Sequence, residues 1–262
     1  MNNHFHSRFN ATSYLNTRFN HPGNIVLRDF IIGKVHEFFK ATKFDTVKPG
    51  ESLTVLDYGC GPALAHVIIS ATEITLAEFT PECRKEVQLW LDKDPSAWDW
   101  TPYIKYVVQT LERNEDEHEI IRREESLRNL IKAVVPCDIS QTPPIAEGFA
   151  GPCYDVVMSV LCLEGACETK GDYKAAIKRL TGLIKPGGYL CKVYCLIMPM
   201  VWCAFLVVHV SKLIIATACS VVITFKLIVQ VLLSQCCNTV YIMVNDLNIV
   251  YCCSGCRKVL YK

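Results

Sequence analysis

Residues 56–62 read Leu-Asp-Tyr-Gly-Cys-Gly-Pro, an apolar run that ends in an acid and a glycine-rich turn. With residues 52–55 the run predicts a buried strand, and the small apolar residues 63–71 predict the helix that follows it. Glycine is needed where a ligand approaches the backbone closely, and the start of a helix offers free N–H groups to a carboxylate. The stretch therefore predicts a ligand-binding turn. An ordinary turn is the alternative, since a lone Gly-x-Gly is a weak motif.

Two acids end apolar segments further along the chain. Glu78 ends a second predicted strand, residues 73–78, where an acid can accept hydrogen bonds from both hydroxyls of a ribose. Asp138 ends the extended piece 134–138 and could accept a bond from an adenine amino group. The alternatives are a solvated strand end for Glu78 and a turn or helix cap for Asp138.

The turn lacks the third glycine of the dinucleotide fingerprint Gly-x-Gly-x-x-Gly, because Leu64 stands at that position. No pyrophosphate then has to be accommodated, which favours S-adenosylmethionine over NAD as the ligand. A nicotinamide-cofactor oxidoreductase is the alternative, which tight NAD binding without S-adenosylmethionine binding would support.

Helix and strand patterns alternate along the first 193 residues, which predicts βαβ units and a parallel sheet with helices on both faces. The apolar spacing predicts a helix over residues 24–42, and Pro81 stands where a further helix can begin. The remaining segments are a helix at 81–93, a third strand at 104–108, a charged helix at 112–133, a strand at 154–160, a helix at 173–183, a turn at 185–188 and a strand from 189.

Composition excludes some classes of function. Lys and Arg number 27 and Asp and Glu 26, so the net charge of +1 lacks the basic footprint of a nucleic-acid binder. The first eight residues contain no apolar core of a secretory signal, which predicts a cytoplasmic, reducing location. The fifteen cysteines are then expected to be free thiols. Cys252, Cys253 and Cys256 lack a second Cys-x-x-Cys pair, so we expect no metal site.

Several segments, in order, resemble the nicotinamide, indolethylamine and phenylethanolamine N-methyltransferases. Residues 94–102 (Asp-Pro-Ser-Ala-Trp-Asp-Trp-Thr-Pro) and 161–167 (Leu-Cys-Leu-Glu-Gly-Ala-Cys) are the most specific of them. The others are Phe9-Asn10 with Tyr14-Leu15, the glycine turn 56–62, Trp90-Leu91, Cys137-Asp138-Ile139-Ser140-Gln141, and residues 183–190 with their Lys-Pro-Gly-Gly.

The resemblance implies a Rossmann-like class I methyltransferase sheet and S-adenosyl-L-methionine as methyl donor. It implies direct transfer of the methyl group to a nitrogen of a small amine or pyridine-type acceptor, by a monomer whose site supplies mainly proximity and orientation, with no assigned catalytic residue. The implied site residues are Tyr14 and Phe19 in a lid over the cofactor, Gly59, Cys60 and Gly61 at its methionine part, Glu78 and Cys83 at the ribose, Asp138 and Ile139 at the adenine, Val160 lining the donor site, and Leu161 lining the acceptor site.

The resemblance ends near Val193, which predicts a methyltransferase domain over 1–193 and an atypical, apolar, Cys-rich tail over 194–262. Tyr194 stands where the family often has an acid that binds the acceptor. Three readings of the tail stay open: a membrane tether through the apolar stretches 193–210 and 213–233, strands that complete the sheet, or an altered terminus that folds poorly. A catalytically impaired relative that keeps the donor-binding fold is therefore the alternative function.

Overall fold

The structure is a computed structural model that describes residues 9–20, 25–41, 53–64, 73–197, 201–209, 239–244, 247–252 and 259–260. For residues 25–28, for residue 41 and beyond residue 193, it describes the backbone alone.

A six-stranded sheet in the order β3-β2-β1-β4-β5-β6 forms the centre of the described chain. The first five strands run parallel, and β6 pairs antiparallel with β5. The last three strands, β7, β8 and β9, form a separate antiparallel sheet. The bounds are β1 Thr54–Tyr58, β2 Glu73–Glu78, β3 Ile131–Pro136, β4 Tyr154–Val160, β5 Ile184–Ile197, β6 Val201–His209, β7 Thr239–Val244, β8 Leu247–Cys252 and β9 Val259–Leu260.

Helices cover both faces of the six-stranded sheet, as its apolar strands require. One core contains side chains from α2, α3, α4 and α5, and the other contains Leu163 of α6 with Ala176 and Leu180 of α7. The bounds are α1 Ala11–Phe19, α2 Ile25–Ala41, α3 Pro81–Leu91, α4 Thr101–Lys105, α5 Glu117–Leu130, α6 Leu163–Ala166 and α7 Lys170–Thr181, with a π-helical turn at Tyr106–Leu111 and a 3-10 turn at Glu147–Phe149. The predicted α/β class and the class I sheet are confirmed.

The predicted strand at 104–108 is wrong, because this segment is helical. Helix α4 begins with Pro102 in its first turn and continues directly into the π-helical turn. Ile104, Val107 and Val108 are fully buried, a spacing of three and four residues that places them on one helical face. The third strand of the sheet is instead β3, which follows α5 without a break.

The predicted turn at residues 185–188 lies within β5, which begins at Ile184 rather than at residue 189, and it forms an irregularity in the pairing of β5 with β4. Ile184 pairs with Tyr154, and Tyr189 pairs with Val156, so the turn lies opposite Asp155 alone. Lys185 Nζ donates to Asp155 Oδ2 at 2.9 Å and thereby joins the turn to β4.

Strand β5 passes through the predicted domain boundary at 193/194, and β6 pairs with it from Tyr189 opposite His209 to Ile197 opposite Val201. Much of the stretch 193–210 is thus strand. In the described part of the chain, no helix combines the length and apolarity needed to cross a membrane. The domain boundary stays a prediction. Residues 65–71 of the predicted helix, the apolar stretch 213–233, Cys253 and Cys256 lie outside the described residues.

Candidate active site

The glycine turn leaves the carboxyl end of β1 and bends towards β2. Gly59 N–H donates to Ala77 O at 2.7 Å, and Cys60 N–H donates to the same oxygen at 3.2 Å. Gly59 has φ of +73°, and a Cβ placed there would lie 2.1 Å from Cys162 Sγ. Gly61 has φ of +63°, but a Cβ there would meet no described atom within 4 Å. Gly59 is therefore required by packing, whereas Gly61 has no such neighbour among the described residues.

Glu78 lies beside this turn because β1 and β2 are parallel neighbours, with Tyr58 paired to Ala77. Its carboxylate accepts hydrogen bonds from Gly61 N–H at 2.9 Å and from Thr80 N–H at 2.8 Å. The residue is only 8% exposed, so the alternative of a solvated strand end is wrong. A buried carboxylate with two backbone donors is held in one orientation at the edge of the turn.

Four cysteine thiols surround the glycine turn and Glu78. Burial raises the pKa of each thiol, and the charge of Glu78 raises it further in every case, so all four stay protonated at neutral pH. They are Cys60, Cys83, Cys137 and Cys162. Cys60 and Cys83 are site residues from the resemblance, whereas no site role was assigned to Cys137 and Cys162, although both stand in the motifs at 137–141 and 161–167.

Tyr14 and Phe19, the two aromatic residues of the predicted lid, lie in different surroundings. Tyr14 is 37% exposed; burial raises the pKa of its phenol, Arg18 lowers it, and the nearby Cys83 and Glu78 raise it again. Tyr14 therefore lies over the acidic side of the site. The Phe19 ring instead packs edge-on against Trp100 at 5.2 Å, and Tyr103 Oη donates to the Phe19 carbonyl at 2.7 Å. This anchors the end of α1 to α4.

Asp138 and Ile139 follow β3 at the same edge of the sheet. Asp138 Oδ1 accepts from Ser140 N–H at 2.9 Å and from Ser140 Oγ at 2.6 Å, so the carboxylate does cap a turn. Its Oδ2 receives no hydrogen bond from the described residues and remains an acceptor for a ligand donor. Ile139 is 5% exposed and belongs to the apolar core on that face.

Val160 and Leu161 stand where β4 ends. Val160 is buried, whereas Leu161 is 39% exposed with φ of +52°, a conformation that costs a branched residue about 1–3 kcal/mol. Leu161 N–H donates to Val193 O at 2.9 Å, which holds the strained residue against the middle of β5. The exposed leucyl side chain thus marks one wall of the site.

A buried ion pair beyond Leu161 was missed from the sequence. Lys192 on β5 is 1% exposed, and its Nζ lies 2.5 Å from Glu164 Oε1 of α6. The sequence feature that could have indicated this ion pair is the single lysine within the otherwise apolar run 189–193.

Comparison with known proteins identifies the family. The model of the NNMT/PNMT/TEMT family matches residues 1–249. The chain belongs to this family. The match continues past Val193, although pairwise similarity to relatives covers about 70% of the chain. The family's members are N-methyltransferases, and S-adenosyl-L-methionine is the methyl donor.

Two relatives illustrate the pairwise similarity. An indolethylamine N-methyltransferase of Mus musculus is 30% identical over 190 residues, which cover 71% of this chain and 69% of the relative. A nicotinamide N-methyltransferase of Sus scrofa is 34% identical over 188 residues, 70% of this chain and 69% of the relative.

Among solved structures, the chain is similar to S-adenosylmethionine-bound CalS10, an amino pentose methyltransferase from Micromonospora echinaspora. The TM-score is 0.41 at 12% identity, over 78% of this chain and 70% of that chain. This likeness is distant, and the family assignment rests on the sequence.

Proposed function

We propose that the chain transfers a methyl group from S-adenosylmethionine to a nitrogen of a small amine or pyridine-type acceptor. The observation that carries the proposal is the contact between Glu78 and Gly61: a buried carboxylate at the end of β2 orients the turn at the end of β1. The carboxyl ends of neighbouring parallel strands are where α/β proteins of this class bind nucleotide-like ligands.

The residues present fit this donor. A Cβ at Gly61 would meet no described atom within 4 Å, so no side chain of the described residues blocks the approach of a methionine part to the backbone there. Glu78 offers carboxylate oxygens to ribose hydroxyls, and Asp138 Oδ2 offers an acceptor to an adenine amino group. When bound, the donor supplies a methyl group on a positively charged sulfur, which makes that carbon electrophilic.

The chain's own residues then have to position the reactants and exclude water. Tyr14 covers the donor side from α1, and Leu161 faces the acceptor from the end of β4. Neutral thiols line the turn, and since burial keeps their pKa raised, they do not compete as nucleophiles for the methyl group at neutral pH. Orientation of this kind accounts for a large share of the barrier reduction in direct transfer. Phe19 supports the lid by anchoring α1.

Calorimetric titration with S-adenosylmethionine and with its demethylated product tests the proposal. Glu78→Ala should weaken donor binding about 10- to 100-fold, because it removes charge-assisted hydrogen bonds. Glu82→Ala is the matched control, since this exposed carboxylate lies on the adjacent helix α3 and should change nothing.

Methyl transfer from labelled donor to a panel of amines and pyridines then tests turnover. Donor binding with no turnover of any acceptor would favour the impaired relative instead. A folded wild-type chain that does not bind the donor would refute the proposal.

A further inference from the structure

Lys192 is a charged side chain buried almost completely next to the site, at 1% exposure. It is flanked on β5 by the buried Cys191 and Val193. Its Nζ contacts Glu164 Oε1 and lies 5.1 Å from the centre of the Tyr173 ring. Removing an ammonium from water is costly unless a partner compensates it. Burial lowers the pKa of Lys192, and Glu164 raises it again. Pairing with Glu164 therefore offsets part of the cost of burying the ammonium group of Lys192.

This pair lies beside the reacting region. In the sheet register Lys192 stands opposite Ser159, two residues before the exposed Leu161. The charges of Lys192 and Glu164 both act on the thiol of Cys162, which packs against Gly59. The pair is thus adjacent both to the glycine turn and to the proposed acceptor wall.

Two polar atoms beside the pair are left for a ligand or water. Glu164 Oε2 and Ser159 Oγ are both buried, and neither has a hydrogen-bond partner among the residues that the structure describes. Ser159 itself is fully buried. Since buried polar groups are normally satisfied, this is the place where an acceptor molecule would complete the hydrogen bonding.

The charge of this wall bears on the acceptor. Glu164 alone would attract a cation, but the Nζ of Lys192 compensates its charge. An alkylamine has a pKa near that of free lysine, about 10.4, so it is a cation at neutral pH and finds no net attraction from this pair.

The transfer itself also favours an uncharged nitrogen. The acceptor nitrogen uses its lone pair to form the new N–C bond, while the C–S bond breaks and its electron pair returns to sulfur. A pyridine-type nitrogen has this lone pair free at neutral pH and becomes an N-methylpyridinium without losing a proton. An alkylammonium must first release a proton to a base, and the carboxylate of Glu164 is already paired with Lys192.

We propose that Lys192 is a specificity-determining residue, which by pairing with Glu164 selects acceptors with an uncharged, pyridine-type nitrogen over protonated alkylamines. This proposal rests on the proposed methyltransferase function and deepens it. Glu164 binds the acceptor only through Oε2, as a hydrogen-bond acceptor whose charge is already balanced.

The test compares kcat/KM for a neutral 3-substituted pyridine and for a primary arylalkylamine. The wild-type chain should prefer the pyridine. Lys192→Met leaves the Glu164 carboxylate uncompensated, and the amine-to-pyridine ratio should rise at least about 10-fold. Lys192→Arg should keep the wild-type preference. An unchanged ratio in Lys192→Met, or a wild-type preference for the amine, would overturn the proposal.

A double variant guards against misfolding, because Lys192→Met leaves a buried charge without its partner. Lys192→Met with Glu164→Gln removes both charges and should fold while retaining the wild-type preference; a gain in amine preference there would contradict the proposal. Thermal unfolding and binding of the demethylated donor check each variant.

Acceptor binding to the complex with demethylated donor, measured by calorimetry, separates the two proposals. If the chain turns over neither acceptor, the proposed function fails, and the binding preference still decides the role of Lys192. Equal binding of both acceptor types, or binding of neither, would refute that role.

Discussion

Replacing Gly59 by alanine perturbs the glycine turn in two separable ways. The residue has φ of +73°, a left-handed conformation that side chains other than glycine's disfavour. The new Cβ would also lie 2.1 Å from Cys162 Sγ and 2.6 Å from Cys162 Cβ. Both distances are far shorter than a van der Waals contact, so β1 and the segment after β4 would have to move apart.

The two costs can be estimated separately. The left-handed conformation costs about 1–2 kcal/mol for a residue with a Cβ. Overpacking a well-filled core typically adds about 1–3 kcal/mol. Together Gly59→Ala should lower the free energy of unfolding by about 2–5 kcal/mol, a large part of the 5–15 kcal/mol typical of a domain.

Gly61→Ala is the matched control, because its φ of +63° is equally left-handed while a Cβ there meets no atom of the described residues within 4 Å. It should cost only the conformational part. Urea unfolding measures the difference in the free energy of unfolding between the two variants. Thermal unfolding should show the same order, since a chain of this size loses about 2–4 °C in Tm per kcal/mol. Combining Gly59→Ala with Cys162→Gly should recover the steric part. If Gly59→Ala and Gly61→Ala are equally stable, the packing argument is wrong.

Two further predictions concern stability. Thr169→Ala removes a capping box, in which Thr169 Oγ1 accepts a hydrogen bond from Asp172 N–H at 3.1 Å. The free energy of unfolding measured in urea should fall by about 0.5–2 kcal/mol. Lys170→Ala, at an exposed position, should cost little, and equal losses in the two variants would contradict the prediction. The buried thiols, whose folded pKa values are raised, remain protonated above about pH 8.5, where they ionise in the unfolded chain. Stability should therefore fall as the pH rises from 8 to 10 in reductant, by up to about 1.4 kcal/mol per pH unit for each thiol, and a flat profile would refute it. These thiols are Cys60, Cys83, Cys137, Cys162 and Cys191.

The sheet was largely predictable because buried parallel strands are short, nearly continuous apolar runs. Residues 73–78 and 154–160 have this pattern, and both are strands with the predicted bounds. The segment 104–108 has the same composition, and a short apolar run does not distinguish a strand from a buried helical turn. The deciding feature is tertiary: its side chains fill a core built by α2, α3 and α5.

For the site, the sequence predicted that the glycine turn and Glu78 each follow a strand and bind a ligand, and the structure brings the two into contact because the carboxyl ends of neighbouring parallel strands lie together. It did not predict the contact of Cys162 with Gly59 or the pairing of Lys192 with Glu164. The first contact depends on β4 lying next to β1 and the second on β5 lying next to β4, and strand order is not encoded in the local pattern. The roles of the individual site residues toward donor and acceptor remain predictions.

The position of β1 between β2 and β4 has a consequence for biosynthesis. One side of β1 is completed by β2, which ends at Glu78, 17 residues after Gly61. The other side requires β4, and Thr54 N–H donates to Asp155 Oδ2 across 101 positions of sequence. During synthesis on the ribosome, β1 can therefore pair on only one side until residues beyond 160 have emerged. A chain arrested before that point would expose an open apolar edge at the very strand that carries the ligand-binding turn, which makes this interval the one in which a chaperone would be needed most.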